Sequence, residues 1–510
     1  MKKCPSDPQI AISEQESIKN AMTFNEKEKC FYSRMPWKSS PSLLGNNKDV
    51  AIKSHQNLKR KAHKNELHPP MIKETFQSML NNEFIIKTDL LPPGNGVNDG
   101  LRNHIQSNPN KHYTVNTVVY KPSSTSTKTR ITWDGTRKTS KNSPSINSIL
   151  MSGNPQYNLT KMLLNWKLRP FALSTDISKN FNRIKLHPSD RPYLNILWTE
   201  SLDPNELPEA FTMLSHTFGY ASTSAIAKAA IDLIHEKAVA RDLLELARAL
   251  SFIYVDDVNT SVWSYNELQE LKAQLNDILK SHGFPLKGWA ISNSPPDPSL
   301  SENEYSTVAG WMWFSEQDTI QLIVPPIFLG EKKKGSFKEN TKFLHTHPTH
   351  KEILDFYKNT PITLPHIVSR TAMLFDMSGM VTPLIVMGNY VSRRALIDTK
   401  ASKTSQVSDQ TKNLFITYLH LVSRFGSLKF PRNLKRADQK QKATLLAFAD
   451  SSALAWMVVI YLLRLDKNKQ FFTEFFYSTG GLNPVNRTIP RSELHSYSKA
   501  ADVVKSLRHS

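Results

Sequence analysis

Residues 252–258 read FIYVDDV and place two adjacent carboxylates, Asp256 and Asp257, directly after an apolar run. Such a run is normally buried, and burying two like charges together is costly unless a cation neutralises them. A tight turn between two strands would carry both acids to the edge of a sheet, and carboxylate oxygens suit Mg²⁺. The stretch therefore predicts a hairpin with a metal site, although a surface turn with a chance acidic pair explains these few residues equally well.

A third carboxylate, Asp176, favours the metal site. It follows a short apolar strand candidate, residues 171–174, and enough chain separates it from Asp256 for a helix and a strand. Two metal ions about 3.5–4 Å apart are bridged by acids that arrive from different strands. We therefore expect Asp176, Asp256 and Asp257 to converge and to hold two Mg²⁺ ions, with Mn²⁺ as a substitute. Two such ions activate an attacking hydroxyl and stabilise the leaving group of a phosphoryl transfer.

The composition favours a polyanionic partner. The 510 residues carry a formal net charge of +20, which favours nucleic acid or an anionic membrane. A membrane is disfavoured because the most apolar stretch, residues 454–463, is far shorter than the roughly 18 residues of a spanning helix. The two cysteines, Cys4 and Cys30, exclude a disulfide framework and a Cys-rich zinc site. No secretory signal follows Met1, so we expect an intracellular protein of the cytoplasm or nucleus that is not secreted.

Further motifs surround the three acids. They are residues 128–134 (KTRITWD), 174–181 (STDISKNF), 218–224 (FGYASTS), 254–257 (YVDD), 283–290 (GFPLKGWA) and 308–313 (VAGWMW). In this order and spacing the chain resembles the reverse transcriptases of Bel/Pao-class LTR retrotransposons over roughly residues 110–500. The stretch from Phe375 and Asp376 to Pro383 is similar to the region known in that family as the Pao-type peptidase.

The resemblance implies a nucleotide site around the acids. Asp176, Asp256 and Asp257 would be catalytic, and Ile177 would join them in holding the metal. The residues implied to contact the nucleotide are Lys128, Arg130, Phe181, Gly219, Tyr254 and Lys287. The two basic residues of the first motif would grip the triphosphate, the Phe ring would crowd a 2′-hydroxyl, and the glycine would permit close backbone approach. The last lysine would act as a general acid. A core Phe, a basic surface strand and a solvated Lys are the open alternatives.

A second, partial site is indicated near the C-terminus. Residues 446–452 (LAFADSS) resemble the first strand of a ribonuclease H fold, with Asp450 as a metal ligand. Residues 488–494 (TIPRSEL) resemble the helix that bears its second acid, Glu493. That chemistry needs about four acids around two metal ions. Only 17 residues follow Glu493, so we expect no ribonuclease H activity from this chain.

The expected fold is α+β: a right-hand polymerase with fingers, palm and thumb, followed by a truncated, ribonuclease H-like α/β half-domain. The expected segments are a basic, disordered tail (1–70), reverse transcriptase fingers and palm (71–325), thumb and connection with the Pao-type region (326–440), and a partial ribonuclease H-like domain (441–510).

The implied function is RNA- and DNA-directed DNA polymerisation. Its partners would be a primed RNA or DNA template and dNTPs, with an oligomer or the capsid of the element as further associations. A degenerate, catalytically silent fragment that binds nucleic acid is the main alternative. A nuclease that acts through Asp450 and Glu493 is less favoured, because its ligand set is incomplete.

Overall fold

The computed structural model shows a mixed α/β fold, which confirms the expected mixture of helices and strands. The structure describes residues 8–64, 69–90, 111–120, 129–155, 157–203, 205–300, 304–324, 326–328, 332–333, 336–337, 347–376, 378–433, 443–465 and 470–508. None of the helices in these ranges combines the length and apolar character required to cross a membrane.

Helices occur throughout the described chain. They are α1 (Pro8–Asn20), α2 (Lys48–His63), α3 (Pro69–Asn81), α4 (Leu159–Leu168), α5 (Thr223–Ala240), α6 (Leu244–Ser251), α7 (Tyr265–Ser281), α8 (His350–Lys358), α9 (Leu364–Thr371), α10 (Thr382–Asp398), α11 (Asp409–Gly426) and α12 (Ile489–Arg508). A 3₁₀ turn, Asn180–Arg183, follows the predicted metal ligand Asp176.

The strands are short in the first half of the chain and longer near its end. They are β1 (Met22–Asn25), β2 (Cys30–Ser33), β3 (Ile85–Lys87), β4 (Val115–Tyr120), β5 (Thr129–Asp134), β6 (Phe171–Asp176), β7 (Lys185–Leu186), β8 (Asn195–Trp198), β9 (Glu209–Met213), β10 (Asp257–Val262), β11 (Ala290–Ile291), β12 (Ser306–Val308), β13 (Trp311–Phe314), β14 (Thr319–Leu322), β15 (Lys332–Lys333), β16 (Ser336–Phe337), β17 (Lys429–Pro431), β18 (Thr444–Ser451), β19 (Ala455–Leu465) and β20 (Phe471–Leu482).

The chain divides into two compact units, each made of several segments. The first unit comprises residues 1–157, 175–258 and 270–287, and the second comprises residues 158–174, 259–269 and 288–510. The sheets have the strand orders β1-β2-β7, β3-β9-β8, β4-β5, β10-β6-β11, β12-β13-β14-β17, β15-β16 and β18-β19-β20.

The core of the first unit contains residues from its N-terminal segment. Met35, Leu44 and Leu58 are buried in one cluster with side chains of α3, β8 and β9, and β2 pairs in parallel with β7. The disordered tail predicted for residues 1–70 is therefore wrong for residues 8–64. The apolar side chains of this segment are spread over two helices, two short strands and irregular chain, so they show no single period along the sequence.

The acidic stretch forms the predicted tight turn, but only one of the two predicted strands flanks it. Helix α6 runs to Ser251, so the predicted strand ahead of the acids is absent, and strand β10 begins only at Asp257. The Tyr254 N–H donates to the Asp257 carbonyl at 3.0 Å and the Asp257 N–H donates to the Tyr254 carbonyl at 2.9 Å. These two bonds close a turn over Val255 and Asp256. Val255 has a φ of 58°, in the left-handed region that β-branched residues avoid.

A buried arginine connects several segments of the second unit. Arg432 is fully buried and makes a bidentate ion pair with Asp318, with nitrogen–oxygen distances of 2.7 and 2.9 Å. Its guanidinium also donates to the carbonyls of Trp166 (2.5 Å), Arg169 (3.0 Å) and Pro170 (2.8 Å). The Arg432 side chain thus pairs with a partly buried carboxylate and donates hydrogen bonds to the backbone at the end of α4.

The C-terminal part of the second unit is an antiparallel three-stranded sheet packed against α12. Val458 and Ile460 of β19 are buried with Leu507 of α12 in one apolar cluster. Burial alternates along β19, because successive strand side chains point to opposite faces of a sheet.

Candidate active site

Three carboxylates converge in the first unit. Asp176 ends β6, Asp256 lies in the tight turn and Asp257 begins β10. One oxygen of each carboxylate lies within 4.8 Å of the others. The Ile177 N–H donates to the Asp256 carbonyl at 2.9 Å and fixes the two segments side by side. Within the described ranges no other group of three or more acidic, His or Cys side chains is placed this closely, and the predicted convergence is present.

The carboxylates repel one another. Burial raises the pKa of Asp257 to about 7, and repulsion from Asp256 and Asp176 contributes further. Burial, followed by repulsion from Asp176, also raises the pKa of Asp256. The ammonium of Lys287, which forms an ion pair with Asp176, opposes both shifts but does not cancel them. Hard, anionic oxygen donors with uncompensated charge fit a divalent ion such as Mg²⁺ or Mn²⁺.

These shifts predict that the metal-free protein loses stability as the pH rises. The folded chain keeps protons on Asp256 and Asp257 that the unfolded chain has already released above about pH 4. The stabilisation that these bound protons provide is therefore complete below about pH 4 and is lost as the pH rises through about 7. The free energy of unfolding falls with rising pH wherever the folded state binds more protons than the unfolded state. In EDTA at pH 8, Asp257→Asn should be more stable than the unchanged protein by about 2 kcal/mol.

Urea unfolding of both proteins at pH 8 and pH 4.5 checks this expectation. The difference should shrink at the lower pH, and added Mg²⁺ at pH 8 should stabilise only the unchanged protein. Equal urea midpoints at pH 8 in EDTA would contradict the electrostatic description of the cluster.

A cavity of about 640 Å³ lies beside the acids. Asp176 and Asp256 line it together with Arg130, Phe181 and Lys287. Arg130 is exposed on β5, and the Phe181 ring is half-buried. Basic, aromatic and acidic side chains thus line one concave site. This combination suits a ligand that carries both a phosphate group and a ring.

Lys287 is close to the acids in both backbone and side chain. Its N–H donates to the Asp176 carbonyl at 2.9 Å, and its ammonium pairs with the Asp176 carboxylate. Sequence reasoning placed this lysine near the site but did not identify Asp176 as its partner, because the two lie far apart along the chain.

Gly219 lies in a position that requires glycine. Its φ is 103°, and an added Cβ would come within 2.1 Å of the Trp133 carbonyl oxygen. The Asn147 side chain holds this loop, since its amide donates to the Gly219 carbonyl at 3.1 Å and its oxygen accepts from the Ala221 N–H at 2.9 Å. The structure thus places the Gly219 backbone against β5, whose residues line the cavity, and the contact of Gly219 with a nucleotide stays a prediction.

Tyr254, another predicted nucleotide contact, lies away from the cavity lining. The Tyr254 ring packs edge-on against the Tyr157 ring, with centroids 5.6 Å apart, and it does not line the cavity. Lys128 lies outside the described residues. The contacts of Lys128 and Tyr254 with a nucleotide stay predictions.

Sequence reasoning missed two residues of the motif STDISKNF. Lys179 is exposed, lines the cavity and donates to the Ser78 hydroxyl at 3.0 Å. The buried Asn180 side chain donates to the Val255 carbonyl at 2.7 Å. Their place between Asp176 and Phe181 was a signal that they lie near the site, but spacing alone does not show where a side chain points.

The residues of the predicted partial ribonuclease H site lie in the second unit. Asp450 is exposed on β18 and accepts a hydrogen bond from the Ser451 N–H at 2.7 Å. It lines a largely apolar cavity of about 700 Å³, whereas Glu493, exposed on α12, does not. Neither acid belongs to a cluster of three ligands in the part of the chain that the structure describes.

Asp376, in the Pao-type region, organises backbone. One carboxylate oxygen accepts from the Ser378 N–H at 3.0 Å and from its hydroxyl at 2.6 Å. The other oxygen accepts from the Val381 N–H at 2.5 Å. These bonds shape the loop that leads into α10.

Two compact units, one with a three-carboxylate centre beside a large cavity, define a mixed α/β protein with a candidate metal site. Residues 363–510 match the family model described as the Pao retrotransposon-like RNaseH-like domain. The match confirms, for this part of the chain, the resemblance to a Bel/Pao-type Pol fragment. It extends across residue 440, where the sequence had suggested a boundary between connection and ribonuclease H-like segments.

The chain is also similar to solved structures of the foamy viral protease-reverse transcriptase. The dRH form in complex with ds DNA is 12% identical and has a TM-score of 0.49, with 100% of this chain and 75% of that chain covered. A complex with dsDNA is 13% identical at a TM-score of 0.49, covering 86% and 72%. A complex with an RNA/DNA hybrid is 12% identical at 0.48, covering 99% and 57%. No curated protein matches the chain.

Proposed function

We propose that this chain is the RNA- and DNA-directed DNA polymerase of a Bel/Pao-class retrotransposon. The observation that carries this proposal is the convergence of Asp176, Asp256 and Asp257 beside a cavity with basic and aromatic side chains. The family match of residues 363–510 supports a retroelement origin. The net charge of +20 suits a primed nucleic-acid template.

The chain's own residues would share the work of nucleotidyl transfer. Two Mg²⁺ or Mn²⁺ ions held by the three aspartates, with Ile177, would activate the primer 3′-hydroxyl and stabilise the departing pyrophosphate. Arg130 and Lys179, which both line the cavity, would bind triphosphate oxygens through charge-assisted hydrogen bonds. Lys287 would leave its ion pair and deliver a proton from its ammonium to the pyrophosphate oxygen.

The polymerase regions are part of this proposal. Residues 71–325 would form fingers and palm, residues 326–440 thumb and connection, and residues 441–510 a ribonuclease H-like segment. We add residues 8–64 to the fingers and palm, since they contribute to the same core. Template, primer and dNTPs are the proposed partners, and an oligomer or the element's capsid are further candidates.

Primer extension tests the proposal. Purified protein with an RNA template, a DNA primer, dNTPs and Mg²⁺ should extend the primer, and EDTA should stop the reaction. Binding of the primed template without any extension in Mg²⁺ or Mn²⁺ would contradict the proposal and favour a silent fragment that only binds nucleic acid.

Phe181 would select the sugar of the incoming nucleotide. Its ring lines the cavity two residues after Lys179, where it would crowd a 2′-hydroxyl. Phe181→Val should raise the ratio of ribonucleotide to deoxynucleotide incorporation by about tenfold or more, the usual effect of one group in a close-fitting pocket. Single-nucleotide extension with each substrate measures the ratio, and the deoxynucleotide rate is the internal control. An unchanged ratio would exclude this role.

A further inference from the structure

We propose that Asn180 is a positioning residue, which holds the acidic turn so that Asp256 and Asp257 lie beside Asp176. This inference rests on the proposed function, because it concerns the same metal centre. Asn180 does not belong to the carboxylate cluster, and its contribution would be made through the backbone of Val255.

The contact itself is short and buried. Asn180 is 4% exposed and begins the 3₁₀ turn that follows β6 by a few residues. Its side-chain nitrogen donates to the Val255 carbonyl at 2.7 Å. The bond therefore links the chain after one metal ligand, Asp176, to the turn that carries the other two.

The turn needs such a restraint because Val255 is strained. Its φ of 58° places a β-branched side chain in the left-handed region, which is costly unless surrounding contacts impose it. The contacts that impose it are the paired bonds between Tyr254 and Asp257, the Ile177 N–H on the Asp256 carbonyl, and the Asn180 amide. Of these contacts, only the last is made by a side chain.

Stability alone does not explain a buried amide at this position. The Asn180 oxygen is buried and has no hydrogen-bond partner among the described residues, and such an unpaired group destabilises the fold. The Asn180 side chain therefore contributes through its nitrogen, which donates to the Val255 carbonyl and fixes its position.

Metal binding without substrate gives a direct test. Mn²⁺ affinity, followed by electron paramagnetic resonance of the full chain, should fall about tenfold in Asn180→Ala, as when partners that orient metal ligands are removed. Asn182→Ala is the matched control. That residue belongs to the same 3₁₀ turn, but its side chain donates to the His216 carbonyl at 3.0 Å, so its loss should leave Mn²⁺ affinity unchanged.

A glycine at residue 255 separates positioning from general damage. Glycine adopts a positive φ without strain, so Val255→Gly should bind Mn²⁺ about as the unchanged protein does. In this background Asn180→Ala should recover most of the lost affinity. A merely structural role of Asn180 would lower affinity equally in both backgrounds, and that result would overturn the inference, as would full affinity in Asn180→Ala alone.

The outcome for the unchanged protein separates this inference from the proposed function. If the unchanged protein fails to bind Mn²⁺, or if Asp256→Asn binds it equally well, the metal centre and the proposed function fail together with the inference. If Mn²⁺ binds at the aspartates and ignores Asn180, only the positioning role is overturned. Thermal unfolding of each variant identifies any that does not fold.

Discussion

Asp256→Asn should abolish primer extension, with a rate loss on the order of 10³-fold or more. Asp256 is adjacent to Asp257 in the chain, and its ligand atom lies within 4.8 Å of those of Asp176 and Asp257. Asparagine has nearly the same volume but no charge, so the turn should still form. The substitution also removes repulsion that raises the pKa of Asp257, and the variant should therefore be no less stable than the unchanged protein.

Rates from single-turnover primer extension in Mg²⁺ measure this effect. Asp242→Asn is the matched control, because Asp242 is exposed and has a φ of 57°, which asparagine tolerates as well as aspartate. The control should extend primers at the unchanged rate. A tenfold loss of rate corresponds to about 1.4 kcal/mol of activation free energy. If Asp256→Asn retained more than about a tenth of the rate, the three-carboxylate centre would not be the site of catalysis.

The largest loss of stability should follow Arg432→Ala. The truncation would leave the Asp318 carboxylate without its bidentate partner and the carbonyls of Trp166, Arg169 and Pro170 without their shared donor. Removing one member of a buried ion pair costs about 3–5 kcal/mol, because the remaining charge is uncompensated. We expect the second unit to unfold at a markedly lower temperature and urea concentration.

Urea unfolding followed by circular dichroism measures the effect. Arg424→Ala removes a similar side chain from an exposed position on α11 and should change stability by no more than about 0.5 kcal/mol. A loss below about 1 kcal/mol in Arg432→Ala would mean that solvent reaches the site and compensates the carboxylate.

The three aspartates could be predicted from the sequence because few arrangements tolerate adjacent acids in an apolar run. Asp176, Asp256 and Asp257 follow or interrupt strand-like stretches, and physical chemistry leaves a cation as the simplest compensation. The local shape was harder to predict. The β-prone residues before Asp256 do not form a strand, because α6 continues to Ser251 and leaves only two residues before the turn that begins at Tyr254.

The supporting contacts could not be predicted, since they depend on side-chain direction. Asn180 and Asn182 are two residues apart in the same turn, yet one reaches the acidic turn and the other reaches His216. The ion pair of Lys287 with Asp176 likewise joins residues that no local pattern connects. The prediction of a disordered tail for residues 8–64 was wrong for a different reason. The apolar side chains that this segment contributes to the core are divided among several short elements.

The parallel pairing of β2 with β7 also determines when the first unit can fold during synthesis. Tyr32 lies opposite Lys185 and Ser33 opposite Leu186. During synthesis β2 therefore cannot form this pairing until a long stretch of later chain has emerged from the ribosome. Closing such a loop is entropically costly, and contacts distant in sequence slow folding. Until then the apolar side chains that follow β2, which are buried with side chains of β8 and β9 in the folded unit, stay partly exposed on the nascent chain, and such exposed surface favours aggregation.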